Sequence, residues 1–196
     1  MGIVISLMGW KMAKYEIKIG GLGGQGVILS GIIIGQAASI YDGKYSTMTQ
    51  AFGPEARGSS ASSELVIDLE PVGYPYVVDQ NVLVVMAKDA YRQYGPRLQD
   101  GGLLLYEKDL VRIDEDEIKK RNIRAYGIPA TAFAEELGRR IVLNIVMMGF
   151  FAAVAGVVSP ESMEKSVLAS VPKGTEKLNL SAFNKGLEYG RSLLDN

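Results

Sequence analysis

The stretch Gly20-Gly21-Leu22-Gly23-Gly24-Gln25-Gly26 constrains the fold more than any other part of the chain. A short strand-like run, Tyr15 to Ile19, precedes it, and a long apolar run, Val27 to Ala38, follows it. Strand, glycine turn and helix in that order open a nucleotide-binding α/β unit. Gly21, Gly23 and Gly26 carry the G-x-G-x-x-G spacing. Glycine accepts positive φ and has no Cβ to hold a ligand away. The helix behind such a turn directs its free N–H groups and the positive end of its dipole at whatever occupies the turn, which suits a phosphate-like anion. The same glycines could instead serve only a tight turn and close helix–strand packing.

Composition removes many chemistries. The 196 residues suit one domain, and 47% apolar residues can fill its core. A formal net charge of −1 provides no field that would draw nucleic acid or an anionic membrane. The chain has no cysteine and no histidine. Thiolate nucleophiles, Ser–His relays, Cys/His metal sites and self-held iron–sulfur clusters are therefore excluded. Acid–base work would fall to carboxylates, Lys or Tyr, and any metal would need oxygen ligands. The lack of a disulfide framework fits a cytoplasmic location. Residues 1–11 are apolar but carry their charge, Lys11, behind the apolar part, unlike a signal peptide. Residues 1–13 are read as a short N-terminal extension and 14–196 as the domain.

The first helix, Gln25 to Tyr41, is apolar around most of its circumference, so both of its sides should be covered, one by the sheet and one by another element or chain. A second strand is expected over Lys44 to Thr49. A dinucleotide site would end that strand on an acid that holds the ribose, but Asp42 lies before it and Met48-Thr49-Gln50 ends it. The loop from Gln50 to Ser60 then falls on the same sheet edge as the glycine turn, where open α/β sheets bind ligands. Within it Arg57 can hold a phosphate or carboxylate in bidentate fashion and Glu55 can orient it. A solvated turn with a local ion pair is the plainer alternative.

Ser63 to Leu69 follows without an intervening helix, which predicts an antiparallel excursion. Tyr74 and Tyr76 suit either a partner surface or the core. Val82 to Met86 is a continuous apolar run, as a buried parallel strand requires. Further elements are a helix over Ala87 to Tyr94, a strand over Leu103 to Tyr106, a charged surface connection over Glu107 to Arg121, and a last strand over Arg124 to Ile128. Helices follow over Thr131 to Leu137, Ile141 to Val158, Pro160 to Val171 and Leu180 to Leu194. Ile141 to Val158 is long enough to raise the question of a membrane span, but Asn144, Gly149 and Gly156 interrupt it. It is read as a helix buried between the sheet and another subunit. The fold class is α/β: a single Rossmann-like domain with a mostly parallel sheet, helices on both faces and an antiparallel excursion.

The glycine stretch, followed by Gln50 to Gly58 with its Phe-Gly-Pro-Glu-Ala-Arg-Gly core, resembles the gamma subunit of 2-oxoacid:ferredoxin oxidoreductases, with the 2-oxoglutarate branch the nearest in pattern. The resemblance covers roughly Lys14 to Asn196. It implies a complex that decarboxylates a 2-oxoacid on thiamine diphosphate with Mg2+, passes electrons through iron–sulfur clusters to ferredoxin, and releases an acyl-CoA. Alpha and beta chains would hold the thiamine site, with a ferredoxin-like delta chain as a further candidate partner. This chain would shape the coenzyme A side, hold no cofactor alone, and show no activity in isolation. The implied binding residues are Gly21, Gly23, Gly24, Gln25 and Gly26 of the first motif. In the second they are Gln50, Gly53, Pro54, Glu55, Arg57 and Gly58. Phe52 stands where relatives often have tyrosine, and Ser59 where many have glycine. The alternatives are a stand-alone NAD-binding oxidoreductase, a pyruvate or branched-chain relative, and a purely structural module.

Overall fold

The computed structural model describes residues 14–53 and 58–195. β1 (Lys14–Leu22) lies inside a six-stranded sheet ordered β2-β3-β1-β4-β5-β6. β2 spans Tyr45–Phe52, β3 Ser60–Asp68, β4 Val82–Val85, β5 Leu103–Glu107 and β6 Arg124–Ile128. On one side β1 pairs in parallel with β4, and the parallel ladder continues through β5 to β6. On the other side β1 pairs antiparallel with β3 along its whole length, from Lys14↔Asp68 to Leu22↔Ser60. β2 pairs antiparallel with β3 in turn. Of the six strands only β3 runs against the rest, so the expected excursion is present.

The helices are α1 (Val27–Gln36), α2 (Lys88–Tyr94), α3 (Glu115–Lys120), α4 (Ala130–Glu136), α5 (Leu143–Val154), α6 (Pro160–Ser170) and α7 (Glu176–Leu194). Residues of α1 and α4 to α7 form one core with Ile17, Ile19, Leu65 and Val84. On the opposite face α2 packs on Leu83, Val85 and Leu104, and Ile118 of α3 joins that cluster. Alternate strand residues thus feed two apolar layers.

Three sequence expectations need correction. β2 continues to Phe52 and β3 begins at Ser60, because their pairing extends to Phe52↔Ala61; Gln50 to Phe52 are strand, not loop. Glu107 is not a surface residue: it is fully buried, and its carboxylate accepts from Leu110 N at 2.6 Å and Thr131 N at 3.1 Å. It thereby ties the end of β5 to the start of α4. Finally, the apolar run after Ile141 forms a helix of 12 residues, about 18 Å long. Its second cover is the chain's own α7, which starts at Glu176 rather than Leu180. Gly149 and Gly186 permit that contact. A Cβ on Gly149 would overlap the Phe183 carbonyl, and one on Gly186 the Val146 carbonyl.

Asp42 has a structural task. Its carboxylate accepts from Ser159 N and Ser159 Oγ, both at 2.8 Å, and Ser159 Oγ accepts from Ser162 N at the start of α6. The link fastens the π-helical turn Ala37–Tyr41, which continues α1, to the α6 N-terminus. Burial pushes the Asp42 pKa up, but hydrogen bonds from Ser162 and Ser159 and the charge of Lys44 outweigh it and hold the carboxyl below its ordinary value.

Two outcomes are expected in urea unfolding. Gly149→Ala should destabilise the domain by about 2–3 kcal/mol, because two helix backbones must separate. Asp42→Asn should cost about 1–2 kcal/mol at neutral pH. The depressed folded-state pKa contributes stability above the unfolded value and loses it as pH falls through the folded one. The gap between wild type and Asp42→Asn should therefore close below about pH 4.

Candidate functional site

The carboxyl end of β1 runs directly into the glycine turn. Gln25 N donates to Leu22 O at 3.0 Å and closes it. The Gln25 side chain holds the shape: its Oε1 accepts from Leu22 N at 2.6 Å and its Nε2 donates to Met86 O at 2.9 Å, beyond the end of β4. Gly21 is buried beneath Gln25 and Val27. Gly26 is the N-cap of α1 in the left-handed region, at φ 72°, and no side chain caps that helix. A Cβ at Gly26 would also overlap the Asn144 carboxamide. Conformation and space both demand glycine there. The uncapped N-terminus leaves the α1 dipole and donors directed at the turn.

The second motif touches the first. Gly23 N donates to Ser59 O at 2.8 Å, and Gly58 N lies 3.4 Å from Gly23 O. Gly53 N donates to Ser60 O at 2.8 Å and closes the base of the loop. Gln50 is an exposed residue of β2 opposite Ser63. The structure thus gathers Gly23, Gly24, Gln25, Gly26, Gly53 and Gly58 at one sheet edge, with Gly21 beneath and Gln50 on the adjoining strand. Pro54, Glu55 and Arg57 lie outside the described residues.

Two hollows flank the Gly23-Gly24 peptide. One, of about 390 Å³, has walls of Gly24, Gly26, Ile28, Leu29, Phe52, Ile141 and Asn144. The other, of about 420 Å³, is lined by Gly24, Gln25, Gly58, Arg140, Ile141 and Leu143. Among the described lining residues of both, Arg140 is the one charged side chain. The arrangement can take an anion beside an apolar group, and among the described lining residues it carries no carboxylate. Asp42 does not serve as a ribose-holding carboxylate there, since it is engaged by Ser159 at the start of α6. Neither Arg140 nor Asn144 is among the binding residues expected from sequence, where Asn144 only interrupts an apolar run. The one local signal for them was an arginine pair and a polar residue at helical spacing.

A mostly parallel α/β sheet in which a glycine turn leads from the first strand into a bare helix N-terminus defines a domain of Rossmann-like type. The family Pyruvate ferredoxin/flavodoxin oxidoreductase matches residues 16–189, and the chain belongs to that family. It is 46% identical over 184 residues to the 2-oxoglutarate synthase subunit KorC of Methanocaldococcus jannaschii, covering 93% of this chain and 97% of that one. The fold superposes with a TM-score of 0.81 on the gamma subunit of keto/oxoacid ferredoxin oxidoreductase from Geobacter sulfurreducens, at 37% identity, covering 92% and 98% of the two chains. A fold likeness with a TM-score of 0.81 and 22% identity extends to the 2-oxoglutarate:ferredoxin oxidoreductase of Magnetococcus marinus, covering 93% of this chain and 32% of that one. That protein was solved with 2-oxoglutarate, coenzyme A and succinyl-CoA bound. These likenesses favour the gamma-subunit reading over a stand-alone NAD enzyme. No helix among the described residues is long and apolar enough to cross a membrane.

Gln25→Ala leaves Leu22 N without its side-chain acceptor and frees the turn from Met86. Chemical denaturation should show a loss of about 1–3 kcal/mol. Hydrogen exchange should rise first at Leu22 and the residues of the turn.

Proposed function

We propose that this chain is the gamma subunit of a cytoplasmic 2-oxoglutarate:ferredoxin oxidoreductase and forms the coenzyme A side of its site. The contact between Gly23 and Ser59 carries the reading, because it merges the two motif loops into one surface in front of the α1 N-terminus. Coenzyme A suits that surface: its phosphates are anions for backbone N–H groups and arginine, and its pantetheine arm suits apolar walls. In the complex, 2-oxoglutarate loses CO2, two electrons pass to ferredoxin, and the succinyl group forms a thioester with coenzyme A. Thiamine diphosphate, Mg2+ and the iron–sulfur clusters would be held by alpha, beta and delta-type chains, since this one has no cysteine for a cluster. Its own residues bind, orient and exclude water.

The rim of the site supports such partners. Phe52 and Ile141 are 65% and 75% exposed beside the hollows, and Ile32 on α1 is 38% exposed. Apolar groups placed around a polar turn fit burial against a larger subunit.

The isolated chain should show no turnover. In the assembled complex, Arg57→Ala should raise the KM for coenzyme A about tenfold while kcat changes little, the pattern of lost ground-state binding. If only assembly suffers and KM stays constant, the chain is a structural module instead.

A further inference from the structure

Asn144 is 3% exposed, and its Nδ2 has no hydrogen-bond partner among the described residues. Buried amides without partners are rare in folded proteins, and each calls for a cause. Asn144 lies in the first turn of α5 against Gly26, and among the described residues it lines the apolar hollow as its one polar side chain. Rotation about the last torsion of asparagine is soft, so the NH2 can be turned toward an acceptor in that hollow. Arg140, four residues earlier, lines the neighbouring hollow. Its ion pair with Glu135 is 4.0 Å long, with both side chains more than half exposed, so the guanidinium remains available to an anion. Ile141 and the Gly23-Gly24 peptide belong to both hollows.

We propose that Arg140, in the turn that leads into α5, and Asn144, in the first turn of α5, are a two-point recognition element: Arg140 takes a phosphate group of coenzyme A, and Asn144 Nδ2 donates to an amide carbonyl of its pantetheine arm. The proposal rests on the coenzyme A reading above. The ligand would lie across the glycine turn with its anionic part on the Arg140 side and its arm against Phe52 and Ile28. Each hollow then receives the chemistry that complements its wall: an anion beside the weakly paired Arg140, an acceptor beside the Asn144 donor. The two residues bind and orient; they move no proton.

The test uses the assembled complex with coenzyme A as the varied substrate, together with the thermal midpoint of the unliganded chain. Arg140→Gln should raise the KM about tenfold at low salt and flatten its rise with ionic strength, whereas Arg140→Lys should keep most of the affinity. Asn144→Leu should raise the KM about tenfold at unchanged kcat, while the thermal midpoint stays at or above that of wild type, because an unpaired buried amide has been removed. A merely structural asparagine would give the reverse: a lower midpoint with the KM unmoved. An unchanged KM in either Arg140→Gln or Asn144→Leu overturns the proposal. If Arg57→Ala raises the KM and these two do not, only this inference falls. If none of the three variants moves the KM, the coenzyme A reading falls with it.

Discussion

Insertion of β3 between β1 and β2 is the constraint on which the site depends. A strand that returns antiparallel beside β1 leaves β2, on its far side, parallel to β1. The carboxyl ends of β1 and β2 then reach the same edge, and the start of β3 brings Ser59 and Gly58 against Gly23. A one-residue slip would turn every side chain of β3 to the other face and detach the two loops. Lys18 and Glu64 oppose such a slip. They are directly opposite in the register and form an ion pair at 2.7 Å, with Lys18 8% exposed at the side chain. Lys18 Nζ also lies 4.4 Å from the centre of the Tyr94 ring, and Thr49 Oγ1 donates to Glu64 at 3.3 Å. A buried charge pair contributes little net stability, but separating its members leaves two uncompensated charges, so it selects one register strongly.

The parallel half of the sheet holds the turn from the other side. Met86 N donates to Gly20 O, and Met86 O accepts from Gln25, so the glycine turn is tied to β4 as well as to the β3 hairpin. Glu16 plays the matching part at the opposite end of β1. Its Oε2 accepts from Val78 N and Asp79 N and fastens the long connection that leads into β4. Burial raises the Glu16 pKa, but Lys14 at 2.5 Å and the two backbone donors outweigh it and keep the carboxylate charged. The loops that form the site thus stand on strands pinned at both ends, which is what positioning to a fraction of an ångström needs.

Features resting on local chemistry were legible in the sequence. Ser159-Pro160-Glu161 announces a helix start, and Ser159 is the N-cap of α6 with Pro160 in its first turn. The glycine turn and the apolar run of β4 were readable for the same reason, since each depends on neighbours in sequence. The extension of β2 to Phe52 was not, because it follows from pairing with Ala61 rather than from the propensity of Gln50 or Ala51. The cover on α5 was misread because all-round apolarity reports burial without naming the partner; the close approach of Gly149 to α7 decides it. Glu107 sits at the head of a charge run, yet the backbone donors that satisfy it come from folding of the connection around it. Arg140 and Asn144 enter the site only because the start of α5 packs against Gly26.

Unsatisfied chemistry is unevenly spread over the domain. Buried polar side chains away from the glycine turn largely find partners: Asn81 bridges Glu16 N and Lys14 O, Gln80 reaches Tyr94 O, and Ser166 reaches Ile33 O. Thr47 Oγ1 and Thr131 Oγ1 lack partners among the described residues, but a hydroxyl is a smaller loss than a carboxamide with two donors. At the turn, by contrast, several unfavourable features coincide: a bare helix N-terminus, a left-handed N-cap, an orphan amide and two large exposed apolar side chains. Each alone is tolerable. Together, among the described residues, they concentrate unmet polar and apolar groups at one edge of the sheet, the coincidence on which the proposed coenzyme A site rests.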